Sequence, residues 1–164
     1  MTAPSTAPSH APAPDAADRV RLRVRYGETD TMGVVYHPNY LVYFEQGRTE
    51  YLRRRGFAYR RMEDAGSLLA VVECGCRFRA SARYDDEITV TTVLDHLTRV
   101  RVGFRYEVRR EEDGGLLAEG FTNLACLGRD GKPRAIPPEI LGALGGRTEA
   151  PQPAAARNVT GDRG

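Results

Sequence analysis

The 164-residue sequence predicts an α+β domain in which one long helix packs on an antiparallel sheet. Three observations carry that prediction. "RVRLRVRYGE", residues 19–28, alternates apolar and charged side chains. Residues 38–55 switch to a 3.6-residue period, and four strand-like segments with short turns follow. A period of two marks a half-buried strand, whereas 3.6 marks a helix with one apolar stripe. Sequential strands joined by tight turns pair antiparallel. One helix against such a sheet is a layered α+β arrangement.

The elements follow in order. In the first strand, 19–28, Val20, Leu22, Val24 and Tyr26 share the inward face and arginines the other. Along the helix, Tyr40, Leu41, Phe44, Gly47, Tyr51 and Leu52 form a broad apolar stripe. Pro38 suits the first helical position, where its missing N–H costs nothing. Gly56 suits the residue just past the end. Gly47 on the inward face costs about 1 kcal/mol relative to Ala in a helix interior, so close approach of the sheet is expected there. A short second helix is expected over 57–65, then strands near 67–80, 86–95, 98–110 and 115–128. "EDGG" at 112–115 signals a hairpin, while the junction at 95–98 has neither Gly nor Pro. "RDGKP" at 129–133 reads as a turn and 137–144 as a short helix or coil.

Both ends have another character. Residues 1–18 and 145–164 are rich in Ala, Pro and polar residues that cannot offset their ordering entropy, so both are expected to be disordered tails. About 125 residues remain for one core domain over 19–144, enough for a real interior. The chain opens on no basic start followed by an apolar run, so no signal peptide is expected. No stretch approaches the roughly 18 apolar residues of a membrane span. A net charge of +2 with interspersed signs makes no case for nucleic acid. Three cysteines suit a reducing compartment, and the cytoplasm is the expected location. The Cys74-x-Cys76 spacing is better explained by core packing than by a metal. Neither a G-x-S-x-G elbow nor a nucleotide-phosphate fingerprint occurs, so no cofactor is expected.

The chemistry concentrates in "ETDTMGVVYHPNY", residues 28–40. Attack on a carbonyl needs a group that adds to it or activates water, and donors aimed at the developing oxyanion. Asp30 can be nucleophile or general base. A helix N-terminus offers free amides and a partial positive charge, which also favours an ionised Asp30 nearby. Because Pro38 has no N–H, the usable donors are His37, Asn39 and Tyr40. A turn at Gly33 folds Asp30 back towards His37. Glu28 reads as a strand-end surface charge, and Glu45 as the partner of Arg48 one turn on. Asp85 and Asp86 read as shaping the entry to a strand, and Arg53–Arg55 as a solvated helix face. An apolar pocket is expected around Tyr40, Phe44 and Val72.

The stretch "TD-x-x-GVVYH-x-x-Y", with "ARYDDEITV" at 82–90 and "GKPRAIP" at 131–137, resembles hotdog-fold acyl-CoA thioesterases of the 4-hydroxybenzoyl-CoA thioesterase-like branch, which includes the small Tol-Pal-associated bacterial thioesterases. The resemblance spans about residues 20–140. It implies a long central helix wrapped by a five-stranded antiparallel sheet, and a homodimer or homotetramer with active sites between subunits. It also implies catalytic roles for Asp30 and for the backbone N–H of His37. Gly33, Val34, Val35, Tyr36, Tyr40, Phe44 and Arg99 are the residues expected to bind the acyl-CoA substrate. Hydrolysis of carrier-protein-bound acyl groups, or acyl binding without catalysis, are the alternatives. The hydratases of the superfamily use a histidine with an acid on the central helix, and the only histidine near this helix precedes it.

Overall fold

The computed structural model describes residues 17–57 and 59–145. Five strands are present: β1 (Asp18–Arg23), β2 (Ser67–Phe78), β3 (Glu87–Leu97), β4 (Arg101–Arg110) and β5 (Leu116–Gly128). The long helix α1 spans Asn39–Arg54, with short helices α2 (Tyr59–Asp64) and α3 (Pro138–Ala143). The strands form one sheet in the order β1-β3-β4-β5-β2, every neighbouring pair antiparallel. Connections on both sides of β2 send it to the far edge, although it follows α1 in the chain.

The inner face of the sheet curls around α1, which packs chiefly on β3 and β1 and reaches β4 and β5. Phe44 is fully buried, its ring stacked on Tyr106 at 4.5 Å and 8°. Ile88, Val90, Phe104, Val108 and Leu117 complete the interior beneath the helix. The helix lies so close to β3 that a Cβ at Gly47 would come within 2.4 Å of Thr92 Oγ1 and 3.0 Å of Val90 Cγ1. That proximity is what Gly47 provides in exchange for its lost helix propensity. At the C-terminal end, Gly56 has φ +85°. Its N–H donates to Arg53 O at 3.0 Å and the Phe57 N–H to Leu52 O at 3.0 Å, the Schellman arrangement that satisfies the last carbonyls.

Three local expectations are corrected. The first strand ends at Arg23, not residue 28, and residues 26–28 form a single 3-10 turn. Tyr26 is consequently 78% exposed instead of core. Its ring meets that of Tyr84 edge-on at 5.6 Å. The alternation persists in the sequence after pairing with β3 has stopped, so periodicity alone could not locate the strand end. β3 runs on to Leu97, past the expected residue 95. The turn lacking Gly and Pro is closed by Thr98, whose N–H donates to Arg101 O and whose Oγ1 accepts the Arg101 N–H at 2.9 Å. Lastly, Asp18 is not the end of a tail but the first residue of β1. Its carboxylate pairs with Arg54 and Arg55 at the end of α1. Residues 1–16 and 146–164, the remainder of the expected tails, lie outside the described residues.

Candidate active site

Residues 28–36 fold as a miniature two-stranded ribbon between β1 and α1. Tyr36 N–H donates to Glu28 O at 2.8 Å, Thr29 bridges Val35, and Asp30 N–H donates to Val34 O at 2.9 Å. The tip is a tight turn from Asp30 to Gly33, closed by Gly33 N–H to Asp30 O at 2.9 Å. Gly33 sits at φ +73°, where an L side chain is strained. Met32 N–H donates to Asp30 Oδ1 at 2.8 Å, the side-chain turn that Asp forms readily. Asp30 is half-buried, and its other carboxylate oxygen takes no hydrogen bond among the described residues. Arg83 approaches the tip, its Nη1 3.5 Å from Gly33 O.

The other half of the site is the start of α1. Asn39 N–H donates to Tyr36 O (2.9 Å), Tyr40 N–H to His37 O (3.2 Å) and Leu41 N–H to Pro38 O (3.0 Å). Two of the three donors expected to be free are therefore used by the first turn. His37 N–H is left without a partner among the described residues. The exposed His37 ring stands edge-on to Tyr36 at 4.8 Å and to Phe78 at 6.3 Å. Phe78 also packs edge-on against Tyr40 at 5.3 Å. An aromatic wall thus stands beside the unpartnered amide, and such edge-to-face pairs fix ring positions as well as bury area.

Of the other anticipated substrate residues, Gly33, Val34 and Tyr36 lie on the ribbon. Val35 and Phe44 turn into the core, at 5% and 0% exposure. Tyr40 is 2% exposed, its hydroxyl accepting the Ala82 N–H at 3.3 Å. Burial pushes the Tyr40 hydroxyl above the usual tyrosine value. All three are buried within this chain and present little surface to a ligand. Arg99 lies in the β3–β4 turn, beyond the far end of β3 from the ribbon. The whole of β3, Glu87–Leu97, lies between that turn and the Asp86 entry to the strand. Val72, at the β2 bulge, is 51% exposed.

Glu28 overturns its reading as a surface charge, because it is 7% exposed. Arg25 N–H and Tyr43 O–H donate to its Oε2 at 2.8 and 3.0 Å, and the Arg25 guanidinium to its Oε1 at 3.0 and 2.7 Å. Burial alone pushes its carboxyl up, but the Arg25 amide, the Arg25 guanidinium and the Tyr43 hydroxyl outweigh it and hold the group below the ordinary glutamate value. Tyr43 is pushed well up in turn, by burial and by the carboxylate beside it. The available signals were the three-residue Arg25–Glu28 spacing and a tyrosine four residues beyond Asn39.

Glu45, by contrast, is 65% exposed along its side chain and lies 4.0 Å from Arg48, as a surface pair. Asp86 accepts from the Arg83 N–H (2.9 Å) and from Arg110 Nε (3.1 Å), holding the entry to β3. Arg53 pairs with Glu50, and Arg54 and Arg55 with Asp18. Among the described residues no cluster of three His, Cys, Asp or Glu side chains could hold a metal. No described helix is long and apolar enough to cross a membrane.

Residues 24–144 match the family model described as thioesterase-like superfamily. The chain belongs to that superfamily. Within it, the chain is 34% identical over 126 residues to the acyl-CoA thioesterase YbgC of Haemophilus influenzae, covering 75% of this chain and 90% of that one. The solved structure of the DHNA-CoA thioesterase of Staphylococcus aureus superposes with a TM-score of 0.76 at 32% identity, covering 79% and 89% of the two chains. The hypothetical protein TT1821 of Thermus thermophilus superposes with a TM-score of 0.74 at 44% identity, covering 79% of this chain and 95% of that one. The long helix wrapped by five antiparallel strands is the superfamily's hotdog fold.

Proposed function

We propose that this chain hydrolyses acyl-CoA thioesters, with Asp30 as the reacting carboxylate and the His37 N–H as the donor to the thioester carbonyl. The observation that carries the reading is the unpartnered His37 amide at the start of α1, beside a ribbon built to present Asp30. As the carbonyl carbon is attacked, negative charge gathers on its oxygen. A fixed N–H at a helix start needs little reorganisation to meet it. Asp30 either adds to the carbonyl, expelling coenzyme A thiolate and leaving an anhydride for water to open, or takes the proton of an attacking water. Both routes break the C–S bond, and both end in a carboxylate and coenzyme A thiol.

The site is proposed to be completed by a second copy of the chain. Arg99 follows the end of β3 away from Asp30, and an antiparallel partner would bring the two ends together. The long edge strand β2 exposes Leu68, Val71, Val72 and Phe78 and has an unpaired backbone edge, a surface that calls for cover. Carrier-protein substrates are the second reading, but Arg53–Arg55 are engaged within the chain, which argues against them as a carrier docking patch. The three free thiols favour the cytoplasm as the working compartment.

The test is thiol release from a panel of short, long and aromatic acyl-CoAs, with light scattering in parallel. Release from at least one class by a dimer or larger assembly is the expected result. No release from any acyl-CoA, with release from acyl-carrier protein, would move the assignment to the second reading.

A further inference from the structure

We propose that Glu28 is a positioning residue, whose buried carboxylate clamps the Asp30 ribbon to the first turns of α1. The inference rests on the reading of Asp30 as the reacting group. Its geometry stands apart from that reading. Both Glu28 oxygens are occupied, by the Arg25 amide and Tyr43 hydroxyl on one and the Arg25 guanidinium on the other. No lone pair is left facing a substrate, so the carboxylate does not itself act on one. Its backbone carbonyl is occupied too, accepting the Tyr36 N–H and Asn39 Nδ2, both at 2.8 Å.

One residue therefore ties together three parts of the chain. Arg25 belongs to the exit from β1. Tyr36 and Asn39 flank His37 at the helix start. Tyr43 is 1% exposed and anchored in the core. Asp30 is two residues along the ribbon, and its own N–H is held by Val34 opposite. Any slip of Glu28 moves the carboxylate of Asp30 relative to the amide of His37. A buried charge with four donors also resists displacement, because loss of any donor leaves part of it uncompensated.

Three variants test the proposal: Glu28→Gln, Tyr43→Phe, and Val108→Ala as a core control matched for loss of stability. Tyr43→Phe removes one donor with almost no change of volume, so it reports even where Glu28→Gln fails to fold. Amide hydrogen exchange is measured at Asp30, Gly33 and Tyr36, and steady-state thiol release on the wild type's preferred acyl-CoA. Displacement of about 1 Å costs up to about 100-fold in turnover, so Glu28→Gln should lower kcat about 10- to 100-fold. Because the loss falls on the reacting geometry and not on binding, KM should move less than about threefold. Ribbon amides should exchange faster in both clamp variants while those of β3 and β4 do not. Val108→Ala should keep its kcat. Unchanged ribbon exchange in both clamp variants overturns the proposal, as does a loss of kcat no greater than in Val108→Ala. The exchange result is independent of the substrate, so a wild type inactive on every acyl-CoA would sink the assigned reaction while ribbon exchange still decides the clamp.

Discussion

The two ends of helix α1 are built to opposite specifications. At the C-terminal end every feature closes the structure. Gly56 caps the last turn, Arg54 and Arg55 hold Asp18 of β1, and the Arg55 guanidinium stacks 3.4 Å from the Tyr51 ring centre. The N-terminal end is left open. Among the described residues its His37 N–H has no partner and the loop beside it carries a carboxylate with an unused oxygen, and its histidine and Tyr36 rings are exposed. Closed ends contribute stability and open ends offer chemistry. The difference teaches where the same substitution size should fall on turnover and where on folding.

The sharpest way to break this contrast is Asp30→Asn. The change is nearly isosteric and keeps the oxygen that accepts the Met32 N–H, so the melting temperature should hold. Turnover should fall about 10²- to 10⁴-fold, the usual contribution of a positioned acid or base. Near-wild-type kcat with an intact fold would show that the open end is not the reacting end.

Gly47→Ala should do the reverse. Its new Cβ meets Thr92 Oγ1 at 2.4 Å and Val90 Cγ1 at 3.0 Å. Overpacking of that kind costs about 1–3 kcal/mol, more than the roughly 1 kcal/mol that Ala adds in helix propensity. Denaturant melts should show the loss. A more stable Gly47→Ala protein would mean that the sheet yields and the close approach is not needed.

Gly56→Ala probes the closed end directly. An alanine at φ +85° costs about 1–2 kcal/mol, read as a lower denaturation midpoint with kcat unchanged.

A pH series sharpens the comparison from the open side. The folded Glu28 carboxyl titrates below its unfolded value. Its stabilisation is thus fully present above the unfolded value and is lost as pH falls through the folded one. Wild type and Glu28→Gln should differ in melting temperature at neutral pH and converge in acid. A constant gap would show that the carboxylate charge is not what holds the ribbon.

The smallest effect is expected for Glu45→Gln, where the pair with Arg48 is exposed at the glutamate and 4.0 Å long. Both kcat and stability should stay within about 0.5 kcal/mol of wild type. A large loss of activity would transfer the catalytic role from the loop carboxylate to the helix.

Much of this was legible in the sequence because it follows from local chemistry. The 3.6-residue stripe placed α1 to within a residue at each end. Gly56 and Gly47 each announced a backbone requirement that the structure shows, whereas Pro38 is the N-cap residue just before α1 and not its first helical residue. The motif around Asp30 and His37 pointed to the loop and helix start that the structure sets side by side. The rest depended on which groups meet across the fold. The Arg25–Glu28 spacing by itself does not separate Glu28 from a surface acid, since Tyr43 and Arg25 reach it only once the 3-10 turn has formed. Neither does spacing tell which helix-start amides remain free, because Asn39 and Tyr40 are claimed by carbonyls of a turn whose geometry is set by packing. Tyr26 continues the alternation of β1 yet is exposed, because pairing with β3 has already ended. Local propensity and periodicity are properties of neighbours in the chain, and the sequence by itself determined those. Burial, hydrogen-bond satisfaction and the placing of Glu28 beside Tyr43 are properties of neighbours in space, and only the tertiary structure decided them.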